Sequence, residues 1–288
     1  MRIIWPYSMV FSYMLAPLED NTDSAFRELC FRHGADLTFT EMTRLAGLVR
    51  RNKSTEQKIE ILNDIEVPTQ LQIAGNKESE LSGFLKNFKP TKGFRGFNFN
   101  LGCPSKNVIK QGVGCAMIKR VSKVKRMIEI VKEYGYPCSI KMRLGQNPAE
   151  KENKVYLNLI IRADADFFVV HVRHGNEHYK NNPDYSVLPA CVATGKDIIA
   201  NGDIDSVEKV NLVKEIGVKG VMIGRAAIYN PAIFERLKGM KETPLEVLKN
   251  EYEELETKYF TGHEKYRRNI LERFGKHTSN NSEVNVRG

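Results

Sequence analysis

The residues most able to do chemistry lie in one segment, FNFNLGCPSKNVIKQGVGCAMIK, running from Phe97 to Lys119. An alternating apolar run ends at Asn100, and Gly102-Cys103-Pro104 then turn the chain sharply. A free cysteine is more often a buried core residue. Its place between Gly and Pro at a strand end instead suggests a partly exposed, reactive thiol. No acidic residue occurs between Leu81 and Ile128, whereas eleven basic ones do: Lys86, Lys89, Lys92, Arg95, Lys106, Lys110, Lys119, Arg120, Lys123, Lys125 and Arg126. A run of this length without a compensating acid reads as a track for a polyanion. Two further pieces, Asn201-Gly202-Asp203 and Gly224-Arg225, follow consecutive apolar runs and have the residue types that hold a phosphate by close backbone approach. Lys141, inside SIKMRLG, is a cation that burial makes costly without an anionic partner; an acid such as Glu41 is the alternative partner. His171 and His174 form H-x-x-H with no third ligand in view, so no metal site is expected.

Positioning these groups requires a regular frame. Short β-rich runs begin near Ser12, Leu37, Thr69, Gly96, Cys138, Asp166, Asp197 and Gly220, and helix-like stretches such as SAFRELCFRHG, SKVKRMIEIVKEYG and SVEKVNLVKEIG lie between them. Each of these stretches is expected to open with a Ser cap and close at a Gly. Eight strand–helix units in this length fit a (β/α)8 TIM barrel. An open doubly wound sheet would share the alternation, but no G-x-G-x-x-G follows the first strand. In the barrel reading, the late polar residues of the runs (Glu41, Gln72, Asn100, Lys141, Arg143, His171, Asn201 and Arg225) gather at the strand C-terminal ends, where chemistry belongs. A helix is expected after Arg225, with Asn230 as cap and Pro231 at its first position.

The chain has 288 residues, 41% of them hydrophobic, and a net charge of +9, which excludes a disordered chain and leans toward an anionic partner. Five cysteines without a C-x-x-C fit neither a disulfide framework nor a Cys-rich zinc site, and suggest a reducing compartment. The apolar start, Met1 to Leu18, is broken by Pro6 and carries only Arg2 as positive charge, so it does not read as a signal peptide. No run long enough to span a membrane is present, and a cytoplasmic protein without a membrane partner is expected. The barrel is expected over 1–240, with a short helical appendage over 241–288 ending in a frayed TSNNSEVNVRG.

The motifs MLAPLEDNTDSAFR at Met14, LQIAG at Leu71, NFNLGCPSKNVIKQGVGCAMI at Asn98, IKMRLG at Ile140, HVRH at His171, ANGDI at Ala200 and MIGRAAIYNPAIF at Met222 together resemble the tRNA-dihydrouridine synthases. That resemblance implies reduction of particular uridines in tRNA, with FMN as cofactor and NADPH or NADH as reductant, and a C-terminal helical domain that helps grip tRNA. It implies that Pro17, Leu18, Glu19, Gln72, Lys141 and His171 face the flavin. Asn201, Gly202, Asp203, Gly224 and Arg225 would hold its phosphate. By the same resemblance Cys103 is the proton donor, and Asn100, Arg143 and Tyr179 contact the uracil. A monomer without metal is expected. HVRH departs from the family's usual H-G-R-T, and Cys115 stands where Ser or Ala is usual and reads as a small core residue. The alternatives are a dihydroorotate-dehydrogenase-like flavin enzyme and a barrel that only binds RNA. The basic track disfavours the first, and the retained Cys103, Lys141 and His171 disfavour the second.

Overall fold

Among the described residues nine strands form a single parallel sheet: β1 Ser12–Leu15, β2 Thr38–Phe39, β3 Thr43–Arg44, β4 Thr69–Ala74, β5 Phe94–Leu101, β6 Cys138–Arg143, β7 Phe168–His171, β8 Ile198–Asn201 and β9 Gly220–Ile223. A computed structural model describes residues 11–259 and 264–276, with backbone alone for 264–267. Residues 1–10 of the apolar start and the TSNNSEVNVRG segment lie outside the described residues. Each of the eight β-rich runs contains one strand, and the additional two-residue β3 pairs with β4.

The strands follow the order β1-β9-β8-β7-β6-β5-β4-β2. The remaining seam is closed by a parallel bridge between Met14 and Leu37, with the Leu15 amide donating to the Leu37 carbonyl at 2.9 Å and the Asp36 amide to the Tyr13 carbonyl at 2.7 Å. A parallel sheet closed on itself, with crossover helices outside, is the TIM barrel expected from the sequence. Buried apolar residues line both faces of the sheet: Val169 lies opposite Lys141 on the inner face, while Phe97 packs edge-on against Phe84 of the outer helix Glu78–Leu85.

Register then decides which polar groups meet. Asn100 lies opposite Lys141 in the β5–β6 pair; Arg143 lies opposite His171, and His171 opposite Asn201, in the next two. Residues two apart in a strand share a face. Lys141 and Arg143 therefore point to the same side, at the C-terminal end of β6.

Helix starts differ from the expected Ser caps. Asp23 caps Ser24–Arg32 by accepting from the Phe26 amide at 2.8 Å, and Arg120 precedes Val121–Glu133 without a side-chain bond. Only Val207–Ile216 has its serine cap, Ser206, with Gly217 as the left-handed stop. Aspartate fills the same capping role as serine, so the first error is one of position. After β9 a helix starts at once, Arg225–Tyr229. The next, Ile233–Leu237, begins after Ala232 rather than at Pro231, and Asn230 accepts from the Ala232 amide at 3.0 Å.

Beyond the barrel, the helix Leu245–Lys258 packs on Ser24–Arg32. Its Leu248, Tyr252 and Leu255 belong to the same hydrophobic core as the barrel, and Tyr252 meets Phe26 edge-on at 6.3 Å. Three buried side chains at roughly 1.5–3 kcal/mol each outweigh what exposed ion pairs such as Lys258–Asp64 add. Packing therefore fixes this helix. The following helix, Glu264–Leu271, leads to Arg273, which donates to Asn21 at 3.1 Å and so ties this segment to the loop after β1.

Candidate active site

Two cavities meet at the C-terminal mouth of the barrel and share Tyr179 on their walls. The smaller, about 570 Å³, is bounded by Pro17 and Leu18 after β1, Lys141 on β6 and His171 on β7. Asn201 at the end of β8, Gly202 and Asp203 just after it, and Gly224 and Arg225 after β9 complete it. Nine of the residues expected around a cofactor are thus brought to one pocket. Glu19 instead lines the larger cavity and meets Lys58 at 3.3 Å. Gln72 is buried beneath the mouth, where its amide bonds Asn98 and Asn100.

The smaller pocket is rich in positive charge. Lys141 has no carboxylate partner among the described residues; Glu41, the alternative considered for it, lies 3.2 Å from Lys58. Burial, reinforced by the Arg143 charge, pushes the Lys141 ammonium down to about 8. Burial also drives His171 well below its ordinary range, with Arg143, Lys141, Arg173 and Arg225 adding repulsion. His171 is therefore neutral, and its buried Nδ1 finds no hydrogen-bond partner among the described residues. Asp203 is the counterweight. Burial raises its carboxyl, but the guanidiniums of Arg173, at 2.5 Å, and Arg225 more than reverse this and hold it below the usual carboxylate range.

These features suit a flavin. An unpartnered lysine and an orphaned imidazole nitrogen await a polar, electron-rich ring edge. Gly202 at φ +127 and Gly224 ahead of a helix start leave backbone that an anionic group could approach closely. The Arg225 guanidinium stands 4.2 Å from the Tyr179 ring centroid at the same end. Asn201 spends a donor on the Met222 carbonyl at 2.8 Å, which couples the two loops.

The larger cavity, about 1590 Å³, holds Cys103, Arg143 and Tyr179, with Arg44 and Lys58 on its walls. Cys103 is only 4% exposed, which corrects the expectation of a partly exposed thiol. The Gly114 segment explains the burial. Gly114 adopts φ +62, and a Cβ there would stand 2.6 Å from the Cys103 carbonyl. The chain thus passes tightly beneath Cys103, and the Cys115 amide donates to that carbonyl at 3.1 Å. Burial pushes the Cys103 thiol up; the Ser105 amide, Arg143 and Arg44 pull the other way and do not prevail. Desolvation therefore outweighs the basic surroundings. Cys115 is fully buried, donates to the Gly102 carbonyl at 3.0 Å and is pushed up to about 12, as a core residue should be.

Asn100 accepts from the amides of Gly102 at 3.1 Å and Cys103 at 2.9 Å, which shapes the thiol-bearing turn. Arg143 donates to the His174 carbonyl at 3.0 Å and lies 5.7 Å from the Tyr179 ring. Sequence reasoning missed Arg173 and Lys209. Arg173 is fully buried, holds Asp203 and donates to the Asn181 carbonyl, while Lys209 donates to the Asp203 carbonyl at 2.9 Å. An arginine two residues past a barrel strand's last histidine was the available signal, but it was read only as part of a departure from H-G-R-T.

The basic track does not survive as one surface. Lys86, Lys89 and Lys92 precede β5, and Lys106, Lys110 and Lys119 follow it. Eight strand residues, at about 3.3 Å each, separate the two groups by roughly 25 Å. Acids outside the run also compensate part of it: Glu66 pairs Arg95, Glu150 pairs Lys119 at 3.0 Å, and Glu133, on the same helix, pairs Arg126 at 2.7 Å. Among the described residues no cluster of three His, Cys, Asp or Glu could hold a metal, and no helix is long and apolar enough to cross a membrane.

A closed parallel barrel with a cation-lined pocket and a thiol-bearing cleft at its strand ends defines a barrel enzyme built around an anionic group. The dihydrouridine synthase family model matches residues 14–286. The chain is 31% identical over 252 residues to tRNA-dihydrouridine synthase B of Shewanella oneidensis, covering 85% of this chain and 78% of that one. It is 33% identical over 229 residues to a probable tRNA-dihydrouridine synthase of Helicobacter pylori, covering 78% and 69%. Among solved structures, morphinone reductase superposes with a TM-score of 0.53 at 13% identity, covering 85% and 90%, a likeness of fold. This chain belongs to the dihydrouridine synthase family.

Proposed function

We propose that the protein reduces the C5–C6 double bond of particular uridines in tRNA, with FMN in the smaller pocket and NADPH as reductant. The observation that carries this reading is the junction of the two cavities: a protonated thiol lies in a cleft of about 1590 Å³ that adjoins a cation-lined pocket of about 570 Å³. A free pyrimidine would be served by a far smaller site than the cleft, since sites for whole drug-sized ligands begin near 300 Å³. A nucleotide still joined to its polymer needs the extra room.

FMN bound there would supply hydride chemistry between a reduced nicotinamide and uracil C6. Around it, Pro17, Leu18, Lys141 and His171 would orient the ring, whereas Glu19 faces the larger cavity and Gln72 lies beneath the mouth. Lys141 supplies the positive charge that favours an electron-rich ring. Asn201, Gly202, Asp203, Gly224 and Arg225 form the phosphate end. Phosphate binding there requires Arg225 to share its charge between the ligand and Asp203.

Cys103 gives its proton to C5 of the uracil. A donor must hold that proton at neutral pH, and the raised thiol does so. Arg143, Asn100 and Tyr179 hold the base, which leaves the folded tRNA to enter the mouth. Lys106 and Lys110, on the short helix after the Cys103 turn, meet the phosphate backbone. The helices after Pro244 extend that grip, with Arg273 beside the β1 loop. Five free, buried cysteines accord with action in the reducing cytoplasm, and the protein works as a monomer.

The test is nucleoside analysis of unmodified tRNA after incubation with FMN-loaded protein and NADPH. Dihydrouridine at defined positions is expected. Unchanged tRNA alongside reduction of a free pyrimidine would overturn the substrate assignment.

A further inference from the structure

Inside the barrel, below both cavities, runs a chain of polar side chains that the chemistry above does not use. Gln70, Asn98 and Ser139 have no exposed surface, and Gln72 has 1%. Polar groups this deep are costly unless each is satisfied, so their arrangement carries information. Gln72, Asn98 and Ser139 stand in one row of the sheet, paired β4 to β5 to β6. Gln70 lies two residues below that row and Asn100 two above, on the same face.

The hydrogen bonds run in one direction. Asn100 Nδ2 donates to Gln72 Oε1 at 2.9 Å, and Gln72 Nε2 to Asn98 Oδ1 at 2.8 Å. Asn98 Nδ2 donates to Ser139 Oγ at 2.7 Å, Ser139 Oγ to Gln70 Oε1 at 2.5 Å, and Gln70 Nε2 to the Arg95 carbonyl at 3.3 Å. Both ends are main-chain groups that cannot exchange roles. The Arg95 carbonyl only accepts, and the Gly102 and Cys103 amides at the other end only donate, both to Asn100 Oδ1. With both ends fixed, flipping any amide places two donors or two acceptors face to face. The chain therefore has one self-consistent orientation, and each bond polarises the next.

We propose that Gln70, Asn98 and Ser139 are positioning residues that act through Asn100 on the turn bearing Cys103. Asn100 is where the chain reaches the active site: its oxygen shapes the turn, and its nitrogen is held by Gln72. The same arrangement leaves Asn100 one uncommitted N–H and no free oxygen lone pair. Toward a bound base it is a donor only, suited to a pyrimidine carbonyl oxygen. This role rests on the proposed function, but the geometry of the Cys103 turn can be measured without tRNA.

Ser139→Ala removes the central link at little cost in volume. Two readouts follow: the rate of iodoacetamide alkylation of Cys103, located by peptide mass spectrometry, and kcat and KM with tRNA. Misplacement of a reacting group costs about 10- to 100-fold in rate. The expected result is a kcat reduced by about that factor with KM for tRNA unchanged, a changed Cys103 alkylation rate, and recovery of both in Ser139→Thr. Combined with Asn100→Ala, Ser139→Ala should add little further effect, because the two lie on one chain. Gln70→Met, similar in length, breaks the chain one link lower and keeps the test open should Ser139→Ala fail to fold. An unaltered alkylation rate in folded variants, or full additivity with Asn100→Ala, would overturn the proposal. Absence of tRNA reduction by the wild-type protein would instead count against the functional reading, while the alkylation comparison would still decide the positioning role.

Discussion

Lys141 allows a prediction whose size follows from its surroundings. In the ligand-free pocket its ammonium titrates near 8 rather than near 10.5, because it is buried and faces Arg143 without an acid beside it. A bound electron-rich or anionic group needs the protonated lysine and returns it toward its ordinary value. The sign follows directly: the depressed lysine is charged below pH 8, and affinity that depends on its charge is lost as pH rises through 8. Linkage between values near 8 and 10.5 weakens binding by about tenfold between pH 7 and pH 9. The FMN phosphate is already close to fully ionised across that window, with its second ionisation near 6, and adds little of its own. Fluorescence-quenching titrations of the apoprotein with FMN at pH 7, 8 and 9 read the slope directly. Lys141→Met should bind more weakly at pH 7 and show an almost flat profile. A flat wild-type profile, or an equal slope in Lys141→Met, would refute the assignment of Lys141 to the cofactor.

Other expectations concern the thiol and the RNA. Cys103→Ala should retain FMN and tRNA but lower kcat by about 10²–10⁴, the usual share of a general acid. Because the thiol is raised above its ordinary value near 9, the wild-type pH–rate profile should lose its essential acid only above pH 9; a loss below neutrality would contradict the burial argument. Gly114→Ala places a Cβ 2.6 Å from the Cys103 carbonyl at φ +62, so it should lower kcat and also destabilise by more than about 1 kcal/mol, read by thermal melts. Replacing Lys106, Lys110 and Lys123 together by Gln should weaken tRNA binding and reduce the salt slope of log K by about two to three. An unchanged slope would move the RNA surface elsewhere.

The barrel was legible because most strand runs join β-branched and aromatic residues to a late polar residue, and that pattern reports both the strand and its functional end. Lys141, His171 and Arg225 were found this way. What the sequence hid depends on contacts between distant segments. The burial of Cys103 is set by a strap twelve residues later, at Cys115, and the compensation of Lys119 by Glu150 on the helix Pro148–Glu152. The basic run looked continuous because a linear count cannot register that β5 carries its two halves to opposite ends of the barrel. Asn98 and Ser139 read as ordinary strand positions, and only the register of β5 against β6 sets them side by side. Asp203 was expected near a phosphate, but its pairing with Arg173 required the fold.

The most direct test of the central claim is anaerobic spectroscopy of the FMN-loaded protein. NADPH should bleach the flavin absorbance, and unmodified tRNA should then restore it, whereas the same tRNA already carrying dihydrouridine should not. A reduced flavin that unmodified tRNA leaves bleached, but that a free pyrimidine reoxidises, would contradict the account.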